Sequence, residues 1–414
     1  MSNNKNFFAK KRAWSLVKDE LLRCYLAPYL NKIYVTRKPL LYVDCFAGKG
    51  KFDDGKEGSP LVAISCVRDS LARFVNADYS RGFKPLVFMR FIEKHYAKEL
   101  EANISAEEGI EAKVKTGKYE EIIVDLLKKA ISRFDGNLNV FLYVDPYGIK
   151  ALDAELFCSL PSVVQSAELL LNLNSVGFIR EALRVRKITL KENEAELLAD
   201  LEELDMPGTT SIQDLNRVAG GDYWQDIVDD YKTGLIDFYE AEKRFSAEYK
   251  QMLRKSYRYV LDMPIRIKAG QNPKYRMVHA TNHPDGCLLM ADNVFKRTEY
   301  LIVDIQQKGQ MSFIEQSIDN DPVDMTQLEE KMGELVATLE ENEWVSLKLL
   351  LADFFNRYGG ICAQKHLTTA TDSALKCLEK KGVIEVRRTD NSGQNKASRA
   401  WTESSKLVIH VKRR

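Results

Sequence analysis

The stretch LYVDCFAGKGKFDDGKEGSP, residues 41–60, runs an apolar strand into an acid and then into a charged, glycine-rich loop. Three ligand classes place glycines after a strand, and the residues discriminate among them. As a phosphate loop, Gly50, Gly55 and Lys56 meet the first fixed positions of GxxxxGK[ST], but Glu57 stands where a hydroxyl must hold magnesium. Asp53 and Asp54 would put two carboxylates into the anion cradle, and the strand ends at Asp44, well before Gly50. As a dinucleotide fingerprint, Gly48-x-Gly50 is followed at the third position by Asp53, which opposes a pyrophosphate at a helix N-terminus.

The third class explains the acid. S-adenosylmethionine has no phosphate; it offers an ammonium, a sulfonium and a ribose diol. Asp44 at the end of the first strand suits the positive methionyl end, and Gly48 and Gly50 let backbone approach a ligand without a Cβ in the way. A second acid, for the ribose hydroxyls, is expected at the end of strand two, where Glu93 closes the apolar run LVFMRFIE. Glu93 lies 49 residues after Asp44, farther than in compact nucleotide-binding units. The excess sits in KFDDGKEG and NADYSRGFKP, which read as loop insertions.

Outward from the loop, residues 14–30 read as a leading helix, and short apolar runs at 40–44, 86–93, 110–116, 140–145 and 167–173 read as strands. Amphipathic stretches at 59–76, 94–108, 119–133 and 151–159 alternate with them as helices. Near-continuous apolar strands alternating with helices predict a parallel sheet covered on both faces. Residues 175–255 turn helix-rich, with a helical insertion over about 187–255. YVLDMPIRI (259–267) and YRMVHAT (275–281) then predict an antiparallel hairpin. Parallel strands closed by such a hairpin predict the Rossmann-like sheet of class I methyltransferases; an NAD-binding fold would continue with a parallel sixth strand.

The fourth strand ends in VDPYG. In an open α/β sheet, ligands lie beyond the carboxyl ends of the strands, so Asp145 converges there with Asp44 and Glu93. Asp145 with Pro146 and Tyr147 suits methylation of an exocyclic amine: the acid or a carbonyl accepts an amine hydrogen while the ring stacks on the base. Asp-Pro-Tyr-Gly is equally a good turn. Asn172 and Asn174, after strand five, are further candidates for a substrate pocket.

Asp321-Pro322 marks the expected boundary between a domain spanning 1–320 and a second spanning 325–414. Residues 326–340, 345–357 and 364–381 read as three helices, and 383–388 with 397–402 as the strands of a wing, together a winged helix. Lys365, Lys376, Lys380, Arg387, Arg388, Lys396 and Arg399 fall on the third helix and the wing, as for nucleic-acid contact, although winged helices also dock proteins. The whole chain is balanced, with 61 basic and 60 acidic residues, but residues 355–414 carry 13 Lys/Arg against 5 Asp/Glu. Seven cysteines without a CxxC pair fit a reducing cytoplasm. The N-terminus lacks the apolar core of a secretory leader, and no run is long enough for a membrane helix, so a cytoplasmic protein is expected.

YVDCFAGKG, GSPLVAI, FIEK, LYVDPYG and HATNHPDGCLLM, spread over roughly residues 10–300, resemble the three-Cys-motif partner protein family, a methyltransferase-like group. The resemblance implies cofactor binding at Asp44, Phe46, Ala47, Gly48, Gly50 and Glu93, with Asp145, Pro146 and Tyr147 at the reaction site. It also implies a radical-enzyme-like partner bearing three cysteines, in phage- or defence-associated gene neighbourhoods. The Asp-Pro-aromatic-Gly segment is similar to that of tRNA guanine-N2 methyltransferases. The chain departs from the common pattern after strand three, where KTGKYEE replaces an acid that often contacts adenine.

No metal site is expected: His279, His283 and Cys287 recur every four residues, but Pro284 and Gly286 break any shared helical face. Cys45 beside Asp44 reads as packing, because an adjacent carboxylate makes a thiol less reactive. These readings lead to an S-adenosylmethionine-dependent methyltransferase acting on a nucleic-acid base. The alternative is a catalytically idle cofactor-binding scaffold that regulates a partner enzyme.

Overall fold

In a computed structural model, the chain is described at residues 11, 13–77, 82–104, 110–191, 194, 210–265, 273, 275–309, 323–341, 343–404 and 406–414. Asp321-Pro322, Pro207-Gly208 and most of the acidic run 191–205 lie outside these residues, as does most of the loop joining the predicted hairpin. The chain divides into two compact units, Met1–Asn282 and His283–Arg414.

The first unit is a mixed α/β fold around a seven-stranded, mostly parallel sheet, compatible with a Rossmann-like arrangement. Its strands are β1 Leu40–Asp44, β2 Val87–Glu93, β3 Glu111–Thr116, β4 Asn139–Val144, β5 Ser166–Leu173, β6 Tyr259–Ile265 and β7 Tyr275–Thr281. Their order is β3-β2-β1-β4-β5-β7-β6. The first five are parallel, and β7 inserts antiparallel between β5 and β6. The expected hairpin therefore forms, with its second strand against β5. The order reverses between β1 and β4, which leaves a crevice beyond their carboxyl ends.

Alternation along the strands gives the sheet two unlike faces. Leu41, Val43, Val140, Leu142, Leu169, Leu171, Val260 and Val278 point into an aliphatic core. That core is closed by α4 Tyr119–Phe134, α5 Ala154–Ser159, α6 Ser175–Val185, α7 Ile212–Ala219, α8 Trp224–Thr233 and α9 Phe238–Arg254. The helical insertion thus belongs to the core of this face; Phe178 of α6 stacks on Phe245 of α9 at 3.9 Å.

The opposite face carries Tyr42, Asp44, Phe141, Tyr143, Glu168 and His279, all buried. It lies under α1 Ala13–Val35, which packs on α2 Ser59–Val75. Tyr29 of α1 meets Phe141 edge-on at 5.3 Å. Tyr25 donates to Glu168 (2.9 Å), which also bonds His279 Nε2 (2.7 Å) and Thr281 (2.7 Å). Aromatic bulk and the Tyr25–Glu168–His279–Thr281 hydrogen bonds, in place of aliphatic chains alone, hold the leading helix on this side.

The second unit begins with α10 Pro284–Gly309, followed by α11 Met325–Ala337, β8 Val345–Ser346, α12 Leu347–Tyr358, α13 Gln364–Leu367, α14 Ala374–Lys380, β9 Ile384–Thr389 and β10 Val408–Arg413. The strands form an antiparallel sheet in the order β8-β10-β9. Helix α10, expected from the sequence in the first domain, packs here: Asp292 accepts from the backbone and side chain of Gln364, both at 2.8 Å. A Cβ at Gly360 would come within 2.8 Å of Val294.

Two local expectations are corrected. The helix predicted over 364–381 is broken between α13 and α14, where the Ser373 hydroxyl bonds the Thr368 carbonyl (2.8 Å) and the run Thr-Thr-Ala-Thr-Asp-Ser favours caps over helix. The strand predicted over 397–402 is a loop anchored by buried Trp401. Its place in the sheet is taken by β10, which alternates around buried Ile409 and Val411.

Candidate functional site

Asp44 ends β1 fully buried. Its carboxylate accepts from the Ser59 hydroxyl at 2.6 Å and from the Phe46 N–H at 3.2 Å. Ser59 opens α2 just before Pro60, so the Gly-Ser-Pro segment supplies the acid's one side-chain donor. No cation reaches Asp44 among the described residues, and burial pushes its carboxyl up to about 7, the two hydrogen bonds offsetting only part of that. Charge from Asp145 and Asp19 acts in the same direction.

The glycine loop folds back from this acid onto Glu93. Glu93 Oε2 accepts from the Gly48 N–H (2.8 Å), and Oε1 accepts from the N–H groups of His95 (2.7 Å) and Tyr96 (3.1 Å). An ionised carboxylate offers about four acceptor directions, so one remains beyond these three bonds. Gly48 and Gly50 have φ of 62° and 78°. At Gly50 the space a Cβ would need is filled by Leu100 of α3 Ala97–Ile104, at 2.8 Å, so this glycine serves packing where the sequence suggested ligand approach. Phe46 lies 5.0 Å from Tyr119 of α4, and buried Ala47 donates its N–H to Ile92 (3.1 Å). KFDDGKEG is a tight turn closed by a Lys51–Glu57 bridge.

Asp145, just past β4, is held from two sides. Lys18 of α1 reaches both carboxylate oxygens, at 2.7 and 2.6 Å, and Asn172 of β5 donates to Oδ1 at 2.8 Å. Pro146 is buried, and Tyr147 is 57% exposed at the rim. Beside Lys18, Asp19 is buried and paired with Lys11, and burial outweighs that lysine to push its carboxyl up to about 6. The site thus unites Asp44, Glu93 and Asp145 at the ends of adjacent strands, with Lys18, Asp19 and Ser59 added to what the sequence suggested. Asn172 joins them, whereas Asn174 caps α6 by accepting from Gly177 (2.8 Å).

Of the residues set aside, Cys45 is buried with its thiol pushed well up by burial, and His279 sits in the Glu168 cluster. Buried Cys287 points its thiol at the Ala352 carbonyl. The seven C-terminal cations divide by what they touch. Lys376 caps the carbonyls of Thr369 and Ala370, Lys396 pairs with Asp390, and Arg388 bonds Ala400 while lying over the Trp401 ring. Lys365, Lys380, Arg387 and Arg399 are exposed, and Arg387 also bonds Asn395.

No family model matches this chain, and no curated protein matches it. Among the described residues, no helix is long and apolar enough to cross a membrane.

Proposed function

We propose that this protein is an S-adenosylmethionine-dependent methyltransferase acting on an exocyclic amine of a nucleic-acid base. The observation that carries the reading is the meeting of Asp44, Glu93 and Asp145 at the carboxyl ends of β1, β2 and β4, where the strand order reverses. The antiparallel β7 between β5 and β6 supports the class I methyltransferase topology.

The residues fit this cofactor better than a nucleotide phosphate. Asp44 is a buried acid that no cation reaches among the described residues, and the acids lining the loop would repel an anion. Bound there, S-adenosylmethionine supplies a methyl group already activated by its sulfonium. The protein's task is then alignment and exclusion of water. Asp44, oriented by Ser59, would take the methionyl ammonium, and Glu93 a ribose hydroxyl. Three acceptor directions of Asp145 are filled by Lys18 and Asn172, which leaves one on Oδ2 for an amine hydrogen. Tyr147 would give the base a stacking platform, and a duplex target would flip its base out.

The helix–strand–helix–helix–helix–strand–strand order of residues 325–413, its second and third strands flanking a loop, supports a winged helix that delivers nucleic acid through Lys365, Lys380, Arg387 and Arg399. The resemblance to the three-Cys-motif partner family adds a three-cysteine protein as a candidate partner. One observation favours the alternative of an idle scaffold: Lys18 holds both carboxylate oxygens of Asp145, a pairing that accounts for the acid as a structural group. Calorimetry tests the shared premise. S-adenosylmethionine should bind while ATP and NAD stay silent; ATP binding would overturn the assignment of the pocket.

A further inference from the structure

We propose that the three-stranded sheet of the second unit holds one unpaired nucleotide in a cavity on its outer face, so that a nucleic-acid single strand is bound there by stacking as well as by charge. This deepens the reading of that unit as a nucleic-acid module and rests on it.

Alternation along the strands gives this sheet two sides. Ile384, Ile409 and Val411 turn inward and are buried. Glu385 and Arg387 of β9 face outward, directly opposite Lys412 and His410 of β10. Half-buried Trp344, just before β8, joins this outer face: Lys412 Nζ lies 5.0 Å over its ring and 3.2 Å from Glu385. Beside the ring is a cavity of about 330 Å³, whose walls include Trp344, Glu385, Arg387, Asn395 and Lys396. That volume is at the small end of the roughly 300–1,000 Å³ of ligand sites. The loop wall is fixed to the sheet, since the Lys396 N–H donates to the Arg388 carbonyl at 2.8 Å. No lining residue belongs to α13 or α14, so the cavity is separate from the helices that carry Lys365 and Lys380.

Most charges around the cavity are paired. Lys396 meets Asp390 at 3.0 Å, Arg388 meets Glu379 at 3.4 Å, and Glu385 meets Lys412. Exposed Arg387 meets no acid among the described residues. Its Nε donates to the Asn395 side-chain oxygen at 3.2 Å, which leaves both terminal guanidinium nitrogens for a ligand. Because arginine only donates, the Asn395 oxygen faces it, and the amide NH₂ is left as a further donor.

The lining thus offers an indole plane, neutral donors and one uncompensated cation, and a nucleotide is the complement of that set. Trp344 takes the flat face of the base, Asn395 an acceptor on its edge, and Arg387 the phosphate. A paired base inside a duplex has both faces covered by its neighbours, so the occupant is unpaired. Every base has a π-face, so the binding tolerates sequence. An acidic peptide would meet the charge of Arg387 but has nothing flat for Trp344.

The test is fluorescence anisotropy on the full-length protein without cofactor, using a labelled oligothymidylate and a labelled duplex of the same length. Trp344→Ala should weaken single-strand binding about tenfold or more and leave duplex binding within about twofold, and Trp344→Phe should restore most of the loss. Arg387→Ala should lower the slope of log affinity against log salt for the single strand by about 0.7, the share of one phosphate. Trp344→Ala should leave that slope unchanged. Thermal melts check folding, and Arg387→Ala and Asn395→Ala, both at exposed positions, carry the test if Trp344→Ala does not fold; Asn395→Ala should weaken the single strand by a few-fold. Equal effects on both nucleic acids, or none on either, overturn the inference. So does a polyglutamate peptide that displaces the oligothymidylate as well as unlabelled oligothymidylate does. Duplex binding without single-strand binding removes the cavity's role and leaves the winged-helix reading standing; if neither binds at low salt, that reading falls with it.

Discussion

Lys18, in the leading helix, grips both carboxylate oxygens of Asp145, which lies 127 residues away at the end of β4. The pair is largely shielded from water, so truncating either partner strands the other's charge. Lys18→Met should lower stability by about 1–3 kcal/mol in a denaturant titration, the cost of leaving a hydrogen-bonded charge unmet. Asp145→Asn keeps shape and an acceptor oxygen. It should hold cofactor affinity within a few-fold while lowering methyl transfer by about 10²-fold or more, because it weakens an acceptor used in the transition state.

Glu93 holds the glycine loop and, on the proposed reading, also takes the ribose; two substitutions separate these roles. Glu93→Ala strands the N–H groups of Gly48, His95 and Tyr96 and removes the acceptor proposed for the ribose. It should cost on the order of 1.5–3 kcal/mol of cofactor binding by calorimetry. It should also lower the melting temperature without ligand. Glu93→Gln retains one acceptor oxygen and should recover more of the melting temperature than of the affinity.

Burial raises the Asp44 carboxyl from 3.8 to about 7 and that of Asp19 from 3.8 to about 6. The folded state therefore holds protons that the unfolded chain releases. The stability these groups contribute is fully present below pH 3.8 and is lost as pH rises through about 6 and then about 7. Groups facing Asp44 are Asp19 of α1, Asp145 beyond β4 and Ser59 of α2. Without ligand, Asp44→Asn should gain melting temperature relative to wild type more at pH 8 than at pH 5. Cofactor affinity should run the opposite way and rise with pH through the same window, since a cation binds the ionised acid.

In the C-terminal unit, the exposed cations should carry nucleic-acid affinity. Combined Ala substitution of Lys365, Lys380 and Arg399 should flatten the dependence of log affinity on log salt by roughly 0.7–0.9 for each phosphate no longer neutralised. Arg388→Ala should instead lower the melting temperature, because Arg388 lies over Trp401 and bonds Ala400. Fluorescence anisotropy across a salt series separates the two effects.

Much of the framework was legible because buried strands announce themselves. Leu40–Asp44 and Tyr275–Thr281 match their apolar runs to the residue, since both ends are set by abrupt polarity changes. The convergence of Asp44, Glu93 and Asp145 was readable for the same reason: each acid closes an apolar run, and parallel neighbouring strands bring those ends to one edge of the sheet. Lys18 and Asp19 were not, because adjacent polar residues on a helix look like a solvated face, and what buries them lies far along the chain. Ser59 was visible in the Gly-Ser-Pro segment, but its bond to Asp44 depends on how the loop folds. The last strand was missed because His410 and Lys412 alternate with Ile409 and Val411, while Trp401 drew the strand to a segment it only anchors. The break after Leu367 turns on local capping, which outweighs a weak helical pattern.

The central claim is methyl transfer, and labelled methyl groups report it directly. Wild-type protein given methyl-labelled S-adenosylmethionine and DNA or RNA should move label onto an exocyclic base nitrogen, identified by nucleoside mass spectrometry, and Asp145→Asn should abolish most of it while still binding cofactor. Cofactor binding with no label in DNA or RNA, even with the neighbouring three-cysteine protein added, would contradict the account and leave a scaffold in its place.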